Sequence, residues 1–338
     1  MKKFLKFCVA GFVLLAVLAG GVGWMVQTKW FLTGFIPRVL NERLPGIRIA
    51  RVEITSHTWH FPCQVVVEDL HLVLEKEKEQ YVVDCRHAHL ENAAGIGTWK
   101  LHTESCDVYS QDVKGQDIDL NLMAQVKTSG LEKLDGQVRA KELTASGYAL
   151  TDVRANVLMR GKEIFIDDIK GQLYGGRLQG KASIENAQDS PYQLALDLEE
   201  VSLKKLQQAW GEAKALAGIQ GDITGHVELS GKRQAIYALS GNLNMARGAQ
   251  LKASWLEFLI ERLPANSTQR RELEGLVKSG GDVFFEKVSL SVQNVTAEKI
   301  VLNVAMESQQ FNLKVNNQID VNLDGGLAGL GEYLKYFK

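Results

Sequence analysis

The sequence predicts a mainly β protein: an N-terminal transmembrane helix followed by an elongated, curled antiparallel sheet, an open trough with a few covering helices. Three observations carry this reading. The 20 residues Phe7–Val26 contain no charged side chain. From Ile47 onward apolar and polar residues alternate with period 2, between short turns rich in Gly, Asn, Asp and Ser. Before the tail, only two later stretches, near 201–216 and 252–278, change to helical spacing.

The uncharged run comes first. A helix of that length is about 30 Å long, the thickness of a bilayer core. Lys2, Lys3 and Lys6 precede it, which predicts a cytoplasmic N-terminus and a translocated remainder. Phe7, Phe12, Leu14, Leu15, Val17, Leu18 and Trp24 are its expected membrane-facing residues, within a tip and anchor spanning 1–28. Val17-Leu18-Ala19 would serve as a cleavage site, so a removed signal peptide is the rival reading, although the run exceeds an ordinary signal h-region. Cys8 lies too early for a lipoprotein site.

Residues 29–46 follow as an amphipathic juxtamembrane helix, with Phe31, Leu32, Phe35, Ile36, Val39, Leu40 and Leu44 on one face. It either lies on the bilayer or plugs the end of the first sheet; a plain core helix reads equally well. The β region divides into 47–170 and 171–326. Strands are expected at Cys63–Leu74, Tyr81–Leu90, Asp117–Val126, Leu134–Leu143, Ala149–Met159, Glu163–Leu173, Arg177–Glu185, Tyr192–Leu198 and Gly221–Leu229. Turns are expected at Lys114-Gly115, Asp135-Gly136, Ser146-Gly147, Arg160-Gly161 and Gly175-Gly176. Val201–Leu216 reads as a helix capped by Ser202, and Trp255–Leu276 as two helices broken at Leu263–Asn266. Strands resume from Asp282 to Leu323, and 327–338 reads as an amphipathic helical tail.

The alternation leaves one sheet face apolar. Tyr174, Gly176, Leu178, Gly180, Ala182 and Ile184 share a face. So do Leu239, Gly241, Leu243 and Met245, then Leu302, Val304 and Met306, then Phe311, Leu313 and Val315, and Ile319, Val321 and Leu323. Such a face must be covered. With few helices on hand, either the sheet closes on itself or it forms a trough for another apolar object.

Charge excludes one class of function. The chain carries 39 basic and 40 acidic residues, which gives no footing for nucleic acid. The segment His57–Cys106 is rich in ligand types: His57, His60, Cys63, His71, Cys85, His87, His89, His102 and Cys106. Cys85, His87 and His89 alternate and are expected on one strand face, where zinc or copper would fit. No CxxC or HExxH spacing is present, so the expected metal set is none. Strand residues with a Cys85–Cys106 disulfide, Cys63 being the alternate partner, or with unpaired thiols, are the other readings. No G-x-S-x-G occurs and His226 reads as a sheet-face residue. Gly95-Ile96-Gly97 lacks the strand–loop–helix setting of a phosphate loop. Glu75–Glu79 reads as a hairpin tip and Arg270-Arg271 as helix surface. The expectation is a protein with no catalytic residues and no cofactor.

Several segments together resemble a known family. Gln172-Leu173-Tyr174-Gly175-Gly176-Arg177-Leu178-Gln179-Gly180 resembles the glycine turn of the AsmA-like envelope proteins. Leu198–Leu203 running into a helix is similar to the same family. So are Ile219–Gly225 with Leu229-Ser230-Gly231, and Leu239–Leu243 followed by Arg247-Gly248. Asp282–Glu286 and the final strands fit it too. The start, Leu44-Pro45-Gly46-Ile47 and then Trp59–Leu70, resembles the chorein-like opening of these proteins. The resemblance covers the C-terminal two thirds well, and 91–151 by strand pattern alone.

It implies an inner-membrane-anchored, single-pass periplasmic protein that handles phospholipid along an apolar β-groove, in lipid transport or outer-membrane homeostasis. About 15 strands at about 4.8 Å each give a trough of about 70 Å. The expected lining is Leu178, Ile184, Leu239, Leu243, Met245, Leu302, Val304, Met306, Leu313 and Val315. Expected partners are phospholipid and the inner membrane, with envelope proteins or self-association open. The alternative is a membrane-tethered scaffold or assembly factor for outer-membrane components that binds protein instead of lipid.

Overall fold

The computed structural model describes residues 33–34, 37–38, 41 and 48–322, except 61–63, 77–78, 94–96, 112, 128–129, 146–147, 186–189, 210–217, 233–234, 279–281, 297–298 and 311. The expected transmembrane run with Phe7, Phe12, Leu14, Leu15, Val17, Leu18 and Trp24, most of the juxtamembrane helix, Cys63 and the tail 327–338 lie outside these residues. Among the described residues no helix is long and apolar enough to cross a membrane. Contacts divide the chain into two compact units, 1–169 and 170–338.

The fold is mainly β. The first strands are β1 (Arg48–Glu53), β2 (Ser56–His60), β3 (Gln64–Lys76), β4 (Glu79–Asn92), β5 (Thr98–Tyr109), β6 (Val113–Lys127), β7 (Gly130–Ala145), β8 (Tyr148–Arg160) and β9 (Glu163–Leu173). There follow β10 (Gly176–Glu185), β11 (Pro191–Ser202), α1 (Leu203–Ala209), β12 (Ile219–Gln220), β13 (Asp222–Lys232), β14 (Ala235–Met245) and β15 (Ala249–Leu251). The chain continues with α2 (Ala253–Arg262), α3 (Thr268–Lys278), β16 (Val283–Phe285), β17 (Lys287–Thr296), β18 (Lys299–Ser308) and β19 (Leu313–Asn322). A 16-stranded sheet has the order β1-β3-β4-β5-β6-β7-β8-β9-β10-β11-β13-β14-β17-β18-β19, with β2 also paired to β3. The strand pairs from β1 to β8 and from β10 to β19 are antiparallel. A second sheet has the order β12-β15-β16.

In the first unit one face of the sheet is buried. Val65, Leu72, Leu74, Leu90, Leu101, Leu122 and Leu134 are each at most 2% exposed and belong to one cluster. Strict alternation does not produce this face. In β3, Val67 and Leu70 are buried while Glu68 and Asp69 between them are both exposed. The same two-residue outward step occurs at Arg86-His87 between Cys85 and Ala88. It recurs at Glu104-Ser105, Gln116-Asp117, Lys141-Glu142 and Thr151-Asp152.

Pairing aligns these steps. Glu68 faces His87, His87 faces Glu104, Gln116 faces Glu142 and Glu142 faces Thr151. A crease therefore crosses β3–β8, and β1 and β2 part from each other at the same level, flanking β3 residues 71–75 and 64–68. Along it Asp69, Ser105, Asp117 and Asp152 have positive φ. Asp tolerates this region because its short side chain bonds locally to the backbone. Asp119 Oδ1 accepts the Ser105 N–H at 3.0 Å, and Asp107 Oδ1 accepts the Asp117 N–H at 2.9 Å.

The crease corrects one sequence expectation. Cys85 points into the buried face, whereas His87 is exposed and His89 half-buried on the other side. The three do not share a face, because the chain spends two residues stepping past Arg86 and His87. Two expected turns are also corrected: Lys114-Gly115 lies inside β6 and Asp135-Gly136 inside β7. At Gly136 a Cβ would stand 2.1 Å from the Asn121 carbonyl oxygen. Glycine marks a close backbone approach there, not a reversal. Gly161 and Gly175, with φ of 58° and 89°, do occupy turns. Tyr174 sits in that second turn rather than on a strand face.

Cys85 and Cys106 are cross-strand neighbours joined by a disulfide, with Cα atoms 4.0 Å apart. Both terminal strands receive side-chain amides on their outer edges. Asn41 donates to the Ile49 carbonyl at 3.0 Å and accepts its N–H at 2.5 Å. Gln269 donates to the Lys314 carbonyl at 2.9 Å. Satisfying an edge this way discourages edge-to-edge pairing.

Candidate functional site

The second unit carries a different surface. Cross-strand pairing builds rows of apolar side chains on one face. One row joins Ala182, Leu194, Leu229 and Leu239. The next joins Gly180, Leu196, Val227, Gly241, Val292 and Leu302. A third joins Leu178, Leu198, Gly225, Leu243, Leu290 and Val304. Leu194, Leu196, Leu198, Val227, Leu229, Leu239, Leu290, Val292 and Leu302 are all half-buried. Their outward neighbours Gln193, Asp197, Glu228, Asn242 and Asn303 are exposed. Six strands at about 4.8 Å span about 25 Å, and this lane runs across them.

One margin of the lane is sealed, and the topology explains why. The chain leaves the sheet after β11 and again after β14, in both cases from the same strand ends. The first departure makes α1 and β12; the second makes β15, α2, α3 and β16. Lys252 precedes α2 in extended conformation, and Leu263 ends it likewise, so Pro264 falls in the break. Arg270 ion-pairs with Glu274 at 2.9 Å and donates to the Leu263 carbonyl at 3.4 Å, joining α3 to the end of α2. Leu203, Leu256, Leu273 and Phe285 bury against Ile223, Val288, Met306, Leu313 and Val315 in one cluster. Val201 and Ser202 belong to β11, so α1 begins at Leu203, two residues later than its sequence suggested.

The ten expected lining residues divide accordingly. Met306, Leu313 and Val315 are in the sealed cluster, and Leu243, Met245 and Val304 pack against it. Leu178 and Ile184 are buried on β10. Leu239 and Leu302 lie in the half-buried lane. The sequence reading left out Leu194, Leu196, Leu198, Val227 and Leu229. Their alternation is plain in the sequence; what ties them to Leu239 and Leu302 is register.

His71, His87, His89, His102 and His226 occupy the polar faces. His71 meets Asp84 at 2.6 Å, His102 meets Glu104 at 3.1 Å, and His89 contacts Gln64. His89, Glu91, Lys100, His102 and Asn121 line a shallow depression there. Among the described residues no group of three or more His, Cys, Asp or Glu side chains is placed to hold a metal ion. His226 faces Asp197 across the strands, with Nδ1 2.7 Å from its carboxylate and Nε2 3.2 Å from Glu228. Hydrogen bonds to Asp197 and then Glu228 favour the imidazolium and raise its pKa above 6.5. The pair therefore adds stability below pH 6.5, lost as pH rises through the folded-state pKa. The ring is 45% exposed, which keeps the effect small. An NMR titration of His226 is expected to give a pKa above 6.5 that falls on Asp197→Asn; an unmoved value would refute the pairing.

A search of curated proteins finds no match, and neither does a search of solved structures. The sequence model of the AsmA family matches residues 68–247, from β3 to the turn after β14. That match covers 180 of 338 residues (247 − 68 + 1), and so the chain belongs to the AsmA family.

Proposed function

We propose that this protein is an inner-membrane-anchored, periplasmic lipid-handling protein whose sheet curls into an open trough and carries phospholipid acyl chains on its apolar face. The half-buried lane of the second unit carries this reading. Leucine and valine side chains run in rows across neighbouring strands there, partly open to water. An extended apolar surface rimmed by polar residues marks a binding site for another apolar body.

The physical reason is simple. Each acyl CH₂ costs about 0.8 kcal/mol to expose to water. A continuous lining of Leu and Val lowers that cost at every position along the lane, so no side chain has to perform chemistry. Accordingly we read the chain as non-enzymatic. Membership of an envelope-associated family supports the reading, as does the uncharged run Phe7–Val26. The Cys85–Cys106 disulfide suits an oxidising compartment outside the cytoplasm.

Native mass spectrometry of the full chain, released from membranes in mild detergent, is expected to show phospholipid adducts that survive exchange into lipid-free buffer. A protein that emerges lipid-free in repeated preparations would overturn the proposal. A co-purified protein partner crosslinked to Leu196 or Leu302 in place of lipid would favour the scaffold reading.

A further inference from the structure

We propose that the lane holds its amphiphile in one orientation, with the polar headgroup at the tight-hairpin margin beside Tyr192 and Tyr237 and the acyl chains directed toward the helical margin. This rests on the lipid-handling reading and goes beyond it by assigning the two margins opposite roles.

The assignment follows from where the chain reverses. At one end of the strands lie both insertions, and they form a dry wall: Leu203 is 2% exposed, and Leu256, Leu273 and Phe285 are each 0% exposed. At the other end the reversals are short. Only two residues separate β13 from β14, and only two separate β17 from β18. No helix is inserted on that side among the described residues. At that margin Lys232 and Tyr237 are exposed.

A phospholipid has the same division. Its chains gain by leaving water, and its charged headgroup loses several kcal/mol if stripped of water without partners. Turned headgroup-first toward α2 and α3, it would press a charge against a sealed apolar cluster. Turned the other way, the headgroup stays hydrated beyond the hairpins. Tyrosine belongs at such a boundary, because its ring is apolar and its hydroxyl polar. Tyr192 is half-buried on the lane face, opposite Ile184 and Gly231. Tyr237 is 47% exposed on the next strand but one. Burial, and then the nearby Tyr237, raises the Tyr192 pKa.

The test uses the full chain loaded with phosphatidylethanolamine carrying a benzophenone on its amine, and in parallel the same lipid with a diazirine at one acyl terminus. After irradiation, crosslinked peptides are mapped. The headgroup probe is expected to label the peptides holding Tyr192, Lys232 and Tyr237 about tenfold more than those holding Leu203 or Leu256, a bias of about 1.4 kcal/mol. The acyl probe is expected to show the reverse. Equal labelling of both margins, or an inverted pattern, overturns the orientation while leaving lipid binding intact. A chain that takes up neither probe overturns the orientation and the lipid reading together. Tyr237→Ala, at an exposed position, should weaken headgroup labelling without altering the melting temperature; unchanged labelling by the headgroup probe at Tyr192 and Lys232 counts against a boundary role.

Discussion

Leu196→Arg is expected to strip the second unit of bound phospholipid while leaving the fold in place. Leu196 lies in the middle row of the lane, between Gly180 and Val227, and is half-buried. A basic residue facing hydrocarbon costs about 2–4 kcal/mol. At about 1.4 kcal/mol per decade, retained lipid should fall roughly 30-fold or more. Asn303→Arg, on the exposed face opposite Ser291, is the matched control and should retain lipid as the parent does. Leu243 and Val304 are poorer test sites, since both pack against the sealed cluster. A charge there would first disturb α2 and α3. Circular dichroism with native mass spectrometry separates the two outcomes. Equal lipid retention by Leu196→Arg and Asn303→Arg, both folded, would remove the lane as a binding surface.

Removing the disulfide should produce the largest loss of stability. Cys85 and Cys106 are 6% and 2% exposed, sit opposite each other on β4 and β5, and close a loop of 21 residues. A loop of that size is worth about 3 kcal/mol in the unfolded-chain entropy model. For a unit of this size each kcal/mol shifts the melting temperature by about 2–4 °C, so Cys85→Ala/Cys106→Ala should melt about 10 °C lower. The parent protein in reductant should show a similar drop once the buried bond is reached. A double variant that melts within about 2 °C of the parent would show the bond to be energetically idle.

How much of this was legible in the sequence depends on what each feature needs. The two helices over Ala253–Arg262 and Thr268–Lys278, with the break at Leu263–Ser267, follow from apolar spacing and Pro264. The antiparallel hairpins follow from alternation and short turns. The crease was hidden, because Glu68-Asp69 reads as one more polar pair inside CQVVVEDLHLVL. Only burial shows that it resets the phase, so that Cys85 and His87 part company. Gly115 and Gly136 misled for a related reason: glycine serves close approach inside a strand as readily as a turn. For the lane, the apolar residues of β14 and β18 were visible, but not that Met245 and Met306 lie beneath the helices. That depends on both insertions leaving from the same strand ends, which pairing alone reveals.

The strand order has its own consequence. Apart from β1 and β2, which both pair with β3, and the short strands that step aside into the second sheet, each member of the large sheet joins the strand made just before it and the one made just after. Such a chain is close to one-dimensional: its stability is a sum of neighbour terms, and outside the two insertions the loops to be closed are short. Assembly can proceed strand upon strand as the polypeptide is delivered, without waiting for a distant partner. Length also becomes an adjustable quantity. Adding or deleting one hairpin lengthens or shortens the sheet by about 10 Å and leaves the remaining pairings untouched.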